Sequence, residues 1–431
     1  MNLAIPVFFG MISQTLIQVS DTFMVGKLGA EAIAAAGLGG LAYFTILAFL
    51  MYGSVGVQIV TAKRFGEKKD KELGELLLSL LYFSFFVGIL LSLVGYYLAF
   101  PYTTLLNNDA ALVQKTASYL SYRFVGTFFF FMSFGLRGFL DGLGLTYVGM
   151  LSSILTMLSN IFLNWVFIFG NLGVPALGID GAGIASSLSG GIGLLVFISF
   201  LFTKKIQRYF QLSKIIPDFS ILKESLFLGL PPAMDGLLTN MAFLLFNKLA
   251  GLIGVHSLAA SNIIFSIMSL SFMPGFSFGV AATTILGQAI GRKSPFTGIV
   301  GVYRSAHYSA LLMGIMGLIF IVFGKEIISL FTTETFVIQA TYPALILVSL
   351  VQVGDAYHMV MGSALRTVGL VYWVMFVYII CSYAIMLPIA YILGIIYNFG
   401  TAGLWSSISV WLLVLGFVFT YKFKKADWLK N

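Results

Sequence analysis

Charged side chains occur inside otherwise apolar segments of this sequence, where each of them needs a physical reason. Three aspartates (Asp21, Asp235 and Asp355) and one arginine, Arg123, lie in such segments. An ionised group at the centre of a bilayer costs about 2.5–3.5 kcal/mol on insertion scales, and groups of this kind commonly mark ion or proton pathways. These four positions are therefore the first candidates for a site that binds cations or protons.

Polar residues elsewhere in the first half could complete a cation site around Asp21. Asn160 and Asn164 are four residues apart, so a helix places both amides on one face. A carboxylate with two amide oxygens suits a small hard cation such as Na⁺, and Ser186 or Ser187 could complete the site. The alternatives are an interfacial carboxylate at Asp21 and ordinary hydrogen bonding between helices for the two amides.

The other two acids lie in the second half. Asp355 is close to mid-membrane, where burial favours the neutral carboxyl group, so we predict a reversible proton carrier. Asp235 is equally central, and Thr239 follows on the same helical face; both are assigned to cation or proton binding. The alternative for either acid is a fixed hydrogen bond or a salt bridge, for example to Arg123. His358 is expected to be a hydrogen-bonded interior histidine.

The composition determines the class of protein that must position these residues. Of 431 residues, 59% are hydrophobic and 9% are charged, whereas ordinary soluble proteins carry about 25% charged residues. A soluble enzyme is therefore excluded. The single cysteine, Cys381, allows no intrachain disulfide and no Cys-rich metal site. The net charge of +8 does not indicate nucleic-acid binding, because the basic residues lie in short loops between apolar runs.

Twelve apolar runs are long enough to cross a bilayer as helices. We therefore predict an all-α integral membrane protein. The runs cover residues 3–26, 36–60, 76–99, 116–140, 146–170, 180–203, 225–247, 257–286, 303–323, 340–364, 369–395 and 401–421.

The two halves of the chain repeat each other, which predicts two six-helix bundles related by a pseudo-two-fold axis along the membrane normal. The acids are not repeated: Asp21 aligns with Phe246, Asp235 with Gly10, and Asp355 with Gly126. We predict an N-terminal bundle over 1–203, a cytoplasmic linker over 204–223 and a C-terminal bundle over 224–431 with a short basic cytoplasmic tail. The aligned pairs include Gly29 with Gly254, Lys68 with Lys293, Arg137 with Arg366, and Gly144 with Gly369.

The distribution of basic residues predicts the orientation. If the N-terminus is cytoplasmic, 19 of the 24 Lys and Arg residues lie on the cytoplasmic side and four lie outside. Positive residues accumulate on the cytoplasmic side of membrane proteins. Both termini are therefore predicted to be cytoplasmic.

Several stretches resemble the multidrug and toxic compound extrusion (MATE) family, most closely its bacterial NorM-like branch. The similarity covers essentially the whole chain, and its specificity comes from the combination of motifs. The stretches are Val19–Gly29 in the first helix, Ser159–Asn164 and Gly178–Ser186 in the fifth and sixth, Gly229–Pro231 at the start of the seventh, Gly287–Gly291 after the eighth, and Gln352–Ala356 with Gly362–Arg366 in the tenth.

The resemblance implies export of cationic, amphipathic drugs or toxic metabolites in exchange for Na⁺ or H⁺, by a rocker-switch form of alternating access. It supports Asp21 with Asn160 and Asn164 as the cation site, with Na⁺ as its metal, and Asp355 as the acid of the C-terminal bundle. Gln18, Gln352 and Asp355 are assigned to substrate binding. The expected partners are small cationic molecules and the bilayer, with no nucleic acid and no cofactor, in a monomer of the bacterial inner membrane.

The chain also departs from the NorM-like pattern. That branch places a glutamate in the seventh helix where this chain has Thr239, and the acid here is one turn earlier, at Asp235. Another branch of the family has an aspartate at the second of the two polar positions in the fifth helix. This chain has Asn164 at that position. These differences leave the choice between Na⁺ and H⁺ open.

Two other functions compete with drug export. A lipid-linked oligosaccharide flippase or exporter of the related superfamily would need a cavity rich in Arg and Lys, and Arg123 is the one such residue assigned to a span. An intramembrane enzyme would need a catalytic constellation, and no HExxH, GxSxG or P-loop motif occurs. We therefore expect a transporter and not an enzyme.

Overall fold

The computed structural model describes residues 1–204, 206–207 and 216–425, and these described ranges contain helices and no strand. Several residues of the sequence predictions lie outside them. These are Lys205, Arg208 and Lys214 of the predicted linker and Lys430 of the predicted tail.

Fifteen helices contain nearly all of the residues that the structure describes. In the first half they are α1 (Ala4–Gly26), α2 (Ala30–Gly66), α3 (Asp70–Leu106), α4 (Ala110–Val125), α5 (Thr127–Gly142), α6 (Thr146–Phe169) and α7 (Ile179–Leu201). In the second half they are α8 (Phe219–Ile253), α9 (Val255–Gly291), α10 (Pro295–Val322), α11 (Gly324–Ser329), α12 (Thr335–Leu350), α13 (Gln352–Thr367), α14 (Val371–Ile396) and α15 (Gly400–Lys425).

Nine of the described helices are long and apolar enough to cross a membrane, and two bent pairs raise the number to eleven. The pairs are α4 with α5, bent by 44°, and α12 with α13, bent by 53°. The remaining predicted span is α1, whose 23 residues include Gln14, Gln18, Ser20 and Asp21, and these polar residues lower its mean hydropathy. The prediction of an all-helical, multi-pass membrane protein is confirmed.

The bend between α4 and α5 is stabilised by a helix that packs against it. At Gly126 the backbone N–H turns from the Tyr122 carbonyl to that of Arg123, at 3.1 Å. The Ser187 hydroxyl of α7 donates to the Tyr122 carbonyl instead, at 2.6 Å. A Cβ on Gly126 would lie 2.5 Å from the Ser187 oxygen, so only glycine allows this approach. The sequence did not reveal the bend, because the apolar run is continuous across it.

The second bend lies between α12 and α13, at Val351. It leaves Asp355, the counterpart of Gly126 in the sequence repeat, in the first turn of α13, one turn after the bend. Negative charge is stabilised near a helix N-terminus, where backbone N–H groups are unpaired. The bend therefore places Asp355, in the middle of the span, near the N-terminus of α13, where a negative charge is stabilised.

The backbone shows the repeat directly. Left-handed φ angles occur at Gly29 (103°) and Gly254 (150°), at Lys68 (58°) and Lys293 (56°), and at Gly144 (82°) and Gly369 (90°). A positive φ is uncommon for a residue other than glycine, so its presence at both lysines is specific. The two halves thus share their turn geometry as well as their sequence motifs.

Internal contacts divide the chain into two units, Asn2–Ala233 and Met234–Asn431, with Met1 grouped in the second. The division falls within α8, directly after Pro231 and Pro232. In the first unit α1 packs on α6, α6 on α7, and α2 and α3 on α5. In the second unit α9 packs on α10 and α13, and α15 packs on α12 and α13. The predicted linker over 204–223 stays a prediction.

The start of α8 is held in the first unit by close packing and by charge. A Cβ on Gly56 of α2 would overlap the carbonyl oxygen of Ser225, so the two backbones touch. The Arg64 guanidinium, near the end of α2, binds three carboxylates: Glu67 at 3.1 Å, Glu72 at 2.9 Å and Glu224 at 3.1 Å. The first turns of α8 are therefore fixed to α2 by an ion-pair network, named here the Arg64 network.

Candidate functional site

The first unit brings together the side chains that the sequence assigned to a cation site. Asn164 of α6 donates through Nδ2 to Asp21 Oδ1 of α1 at 2.5 Å and to Asn160 Oδ1 at 3.1 Å. Asn160 in turn donates to the Ser186 hydroxyl of α7 at 3.4 Å. We call these four residues the oxygen cluster. The predicted proximity is confirmed, and Ser187 is outside the cluster because it caps the bend at Tyr122.

The oxygen cluster has the properties of a site for a small cation. Asn160 and Asn164 are 1% and 0% exposed, so water contributes little to their solvation. The Asn164 Oδ1 atom is buried and has no hydrogen-bond partner within the described residues. A buried acceptor without a donor is costly, and a bound cation would satisfy it. The cluster also offers a carboxylate and further oxygens, the ligands preferred by hard cations.

A permanent cation lies near this site. Arg123 of α4 donates to the Tyr119 hydroxyl at 2.8 Å, and its guanidinium lies 4.6 Å from the centroid of the Tyr43 ring. Arg123 also interacts electrostatically with Asp21. Arg123 was suggested from the sequence as a salt-bridge partner of Asp235 or Asp355. That suggestion is wrong, because Asp235 pairs with Arg366 and Asp355 contacts His358.

Asp235 of α8 forms a salt bridge with Arg366 at the end of α13. The Arg366 Nη2 atom lies 2.8 Å from Asp235 Oδ2, and both side chains are largely buried. The Thr239 hydroxyl, one turn later on α8, is buried without a partner among the described residues, and the assignment of Thr239 and Asp235 to cation or proton binding stays a prediction. The alternative of a fixed salt bridge describes Asp235 in this conformation.

Asp355 belongs to a chain of hydrogen bonds in the second unit. Its Oδ1 atom lies 2.9 Å from His358 Nδ1, and His358 Nε2 lies 2.8 Å from the Tyr378 hydroxyl of α14. Asp355 is fully buried, and its Oδ2 atom has no partner in the described part of the chain. The expectation that His358 is a hydrogen-bonded interior histidine is confirmed. The arrangement links a buried acid to two groups that can accept and donate protons.

The two glutamines assigned to substrate binding have different surroundings. Gln18 is exposed on α1. Gln352 is fully buried, accepts a hydrogen bond from Ser271, and places Nε2 3.3 Å from the Met268 sulfur. Contact between Gln352 and a substrate would require α13 to move, so this assignment stays a prediction.

Three residues with notable surroundings were given no role from the sequence. Arg366 pairs with Asp235, and Tyr378 ends the chain from Asp355, but both partnerships join residues far apart in sequence. Asp180 lies in the first turn of α7, and its buried Oδ1 atom has no partner among the described residues. The available signal for Asp180 was an acid directly after the loop glycine Gly178, at the start of a span.

Comparisons of the sequence with known proteins show which family it matches and which named proteins it is similar to. The MatE family model matches residues 6–166 and 231–392. A probable multidrug resistance protein NorM from Thermotoga maritima is 27% identical over 94% of this chain and 87% of its own length. The multidrug resistance protein MdtK from Yersinia pseudotuberculosis is 27% identical over 100% of this chain and 94% of its own.

Solved structures share the fold. A MATE transporter of the MOP superfamily in an outward-facing conformation superposes with a TM-score of 0.87 at 24% identity, covering 100% of this chain and 96% of that one. A MOP superfamily transporter from Pyrococcus furiosus, described as having a binding pocket of reversed polarity, gives a TM-score of 0.86 at 24% identity over the same shares.

Proposed function

This chain belongs to the MatE family, and we propose that it is a secondary antiporter that exports cationic, amphipathic drugs or toxic metabolites in exchange for Na⁺ or H⁺. Multi-pass membrane architecture and the two similar halves fit alternating access. The oxygen cluster of Asp21, Asn160, Asn164 and Ser186 is the single observation that carries the proposal.

Binding of a small cation to the oxygen cluster would affect the relative positions of three helices, because the members of the cluster lie on three different helices. Asp21 is on α1, the two asparagines are on α6, and Ser186 is on α7. A bound Na⁺ would take oxygens from all three and hold them together, whereas a bound proton would remove the charge that attracts the Asn164 amide. Either event changes how α1 packs against α6. Binding of the driving ion thus changes the packing of helices within the N-terminal bundle.

The second unit supplies a different acid for the same cycle. Asp355 has its Oδ2 atom buried and unpaired among the described residues, while Oδ1 contacts His358. An uncompensated buried carboxylate favours either a proton or a cationic substrate nearby. Binding of one therefore opposes binding of the other, and the linkage is reciprocal. Asp235 is already neutralised by Arg366 and contributes to the structure of the bundle.

The relatives support the substrate class and the location. The proteins from Thermotoga maritima and Yersinia pseudotuberculosis are named multidrug resistance proteins. We extend that substrate class to this chain and place it in the bacterial inner membrane, as a monomer with both termini in the cytoplasm.

Lipid-linked oligosaccharide export is the alternative function. Pyrophosphate groups would need several exposed basic side chains. Arg123 and Arg366, two arginines inside the described spans, are instead engaged by tyrosines and by Asp235 respectively. Cationic substrates fit the buried, unpaired oxygens of Asn164 and Asp355 better.

Uptake of a fluorescent cationic dye into proteoliposomes tests the proposed function. A Na⁺ gradient and a pH gradient are imposed separately, each with and without an ionophore that collapses it. We expect dye to accumulate against its own gradient under at least one of the two. Dye that only equilibrates under both gradients, together with movement of a fluorescent lipid-linked pyrophosphate, would favour the flippase.

A further inference from the structure

A small cavity lies in the first unit, apart from the oxygen cluster. Residues from α1, α5, α6 and α7 line it, its volume is about 40 Å³, and the lining residue Gln14 is exposed. No acidic side chain lines the cavity, while Arg137 brings a full positive charge. The polar lining residues are Gln14, Ser133, Arg137, Ser152, Ser153 and Thr156.

The Arg137 guanidinium faces glycine where its repeat counterpart faces an acid. In the second unit, Arg366 Nη2 contacts the Asp235 carboxylate at 2.8 Å. In the first unit, the position equivalent to Asp235 is Gly10, and a Cβ there would lie 3.6 Å from Arg137 Nη2. The two arginines are thus presented in the same way by the two halves. Only one of them receives a carboxylate from the first helix of its bundle.

The charge of Arg137 is only partly compensated by the protein. Its ion-pair contact among the described residues is with Asp141, 3.7 Å from Nε and one turn later on α5. That distance is long for a charge-assisted hydrogen bond, which is usually about 2.7–2.9 Å. The Nη2 edge, directed at Gly10, has no acidic partner in the described part of the chain. The Arg137 side chain is 25% exposed, so a small solute can reach it, and a guanidinium without a full acidic partner favours a negative ligand.

Neutral donors surround the same space. The Ser133 hydroxyl is buried and has no hydrogen-bond partner within the described residues. The Ser153 oxygen lies 3.5 Å from the position of a Cβ on Gly10, and the Gln14 amide also lines the cavity. Ser152 donates to the Gly193 carbonyl at 2.9 Å and so contributes no free donor. A guanidinium with hydroxyl and amide donors, and no lining acid, is the chemistry of an anion site.

We propose that this cavity binds a small monovalent anion such as chloride, with Arg137 as its principal ligand. The anion replaces the carboxylate that Asp235 supplies in the other half of the chain. Size limits the class of ligand, because one water molecule needs roughly 10–15 Å³ of such volume. A halide with one or two water molecules fits, and a phosphate ester or an organic acid does not.

The cavity permits a matched test at Gly10. The nearest atoms to a Cβ on Gly10 lie 3.5–3.7 Å away, which is ordinary van der Waals contact. Gly10→Ala should therefore keep anion binding, whereas Gly10→Asp tethers a carboxylate at the position that Asp235 has in the second unit. Arg137→Gln removes the charge directly. Arg304→Gln, at an exposed arginine of α10, is the control for loss of positive charge.

Radiolabelled chloride binding to the purified full-length protein is the measurement, with thermal unfolding in chloride and in gluconate as the check on folding. We expect about one bound chloride per chain in wild type, Gly10→Ala and Arg304→Gln. Affinity should fall by more than about tenfold in Arg137→Gln and Gly10→Asp, while both variants unfold cooperatively. Equal chloride binding in Gly10→Ala and Gly10→Asp, or no saturable chloride binding in wild type, would overturn the proposal.

Discussion

The Asp21 carboxylate of α1 accepts a 2.5 Å hydrogen bond from the side-chain amide of Asn164 on α6. The same amide nitrogen also donates to Asn160 at 3.1 Å, so one group joins the acid to the rest of the oxygen cluster. A cation bound to Asp21 would compete with this amide for the carboxylate. The contact between α1 and α6 therefore depends on whether the driving ion is bound.

The amides of the oxygen cluster should tune ion binding without being essential to it. We expect Asn160→Ala and Asn164→Ala to raise the half-saturating concentration of the driving ion by about three- to tenfold, the range of one ordinary lost hydrogen bond. Initial rates of dye export, measured against Na⁺ concentration and pH, give this value. Asn171→Ala, which removes an amide bonded to the Trp165 carbonyl outside the cluster, is the control. Unchanged ion dependence in both cluster variants would remove the amides from the site.

Asp355 should link proton binding to substrate binding. Because a deprotonated carboxylate attracts a cationic drug and a neutral carboxyl group does not, affinity should increase with pH. Drug binding to purified protein between about pH 6 and 8 tests this. The charged or titratable groups that face this region are His358, Tyr378, Arg366 and Asp235.

In Asp355→Asn, drug binding should be weaker and nearly independent of pH. His358→Gln keeps a hydrogen-bonding side chain and removes the imidazole ring, so it separates the contribution of the histidine from that of the acid. If His358→Gln alone loses the pH dependence, the proton carrier is the histidine. The same pH dependence in wild type and Asp355→Asn would contradict the role of Asp355.

The predicted orientation can be tested with single cysteines in a Cys381→Ala background. Asn108 and Ala176 are exposed in loops assigned to the outside, and Lys71 and Lys425 are exposed on the side assigned to the cytoplasm. Cysteines at the first two positions should react with an impermeant maleimide in intact cells. Cysteines at the last two should react only after permeabilisation. The opposite labelling pattern would refute the assignment of 19 basic residues to the cytoplasm.

The Arg64 network should stabilise the protein and should weaken in acid. Burial raises the pKa of Glu67, but hydrogen bonds from Arg64 and Lys69 outweigh it, so the net pKa is lowered from 4.5. A lowered carboxyl pKa contributes stability above its unfolded value, and that stability is lost as the pH falls through the folded value. The contribution is thus complete near neutral pH, begins to decrease as the pH approaches 4.5, and is lost as the pH falls through the lowered pKa of Glu67.

Removing Arg64 leaves three carboxylates close together without their shared cation. We expect Arg64→Gln to lower the free energy of unfolding by about 1–3 kcal/mol. Glu224→Gln, which changes a more exposed partner of Arg64, should lower it by less than about 1 kcal/mol. Unfolding is followed through Cys381, whose buried thiol becomes reactive to a fluorogenic maleimide. Lys71→Gln, whose ammonium is exposed and pairs only with Glu75 among the described residues, is the control. Equal stability of Arg64→Gln and the control would show that the network is dispensable.

Local spacing was enough to predict the oxygen cluster. Asn160 and Asn164 share a helix face, Asp21 is an acid within an apolar run, and Ser186 or Ser187 was proposed to complete the site. The family resemblance then supported Asp21 with the two asparagines. Partnerships across the bundle could not be predicted in this way: Arg366 is 131 residues from Asp235, and no periodicity relates them. The suggestion that Arg123 pairs with Asp235 or Asp355 was wrong because only arginines within predicted spans were considered. The predicted span boundaries placed Arg366 in a loop.

The bent helices were also invisible in sequence, for a physical reason. Hydropathy reports which residues enter the membrane and does not report where a helix changes direction. The run through Gly126 and the run through Val351 were each predicted as one continuous span. Burial of Gln352 follows from the second bend, and this burial is why its predicted contact with substrate needs a different conformation.

The most direct test of the central claim, that the Asp21 carboxylate couples ion entry to export, compares three proteins in proteoliposomes. Wild type, Asp21→Asn and Asp109→Asn export a cationic dye under a Na⁺ or a pH gradient, with dye binding measured separately. Asp109 is an exposed helix N-cap, and asparagine caps helices equally well, so its variant should match wild type. We predict that Asp21→Asn still binds dye but exports it under neither gradient. Gradient-driven export by Asp21→Asn at the wild-type rate would contradict the account.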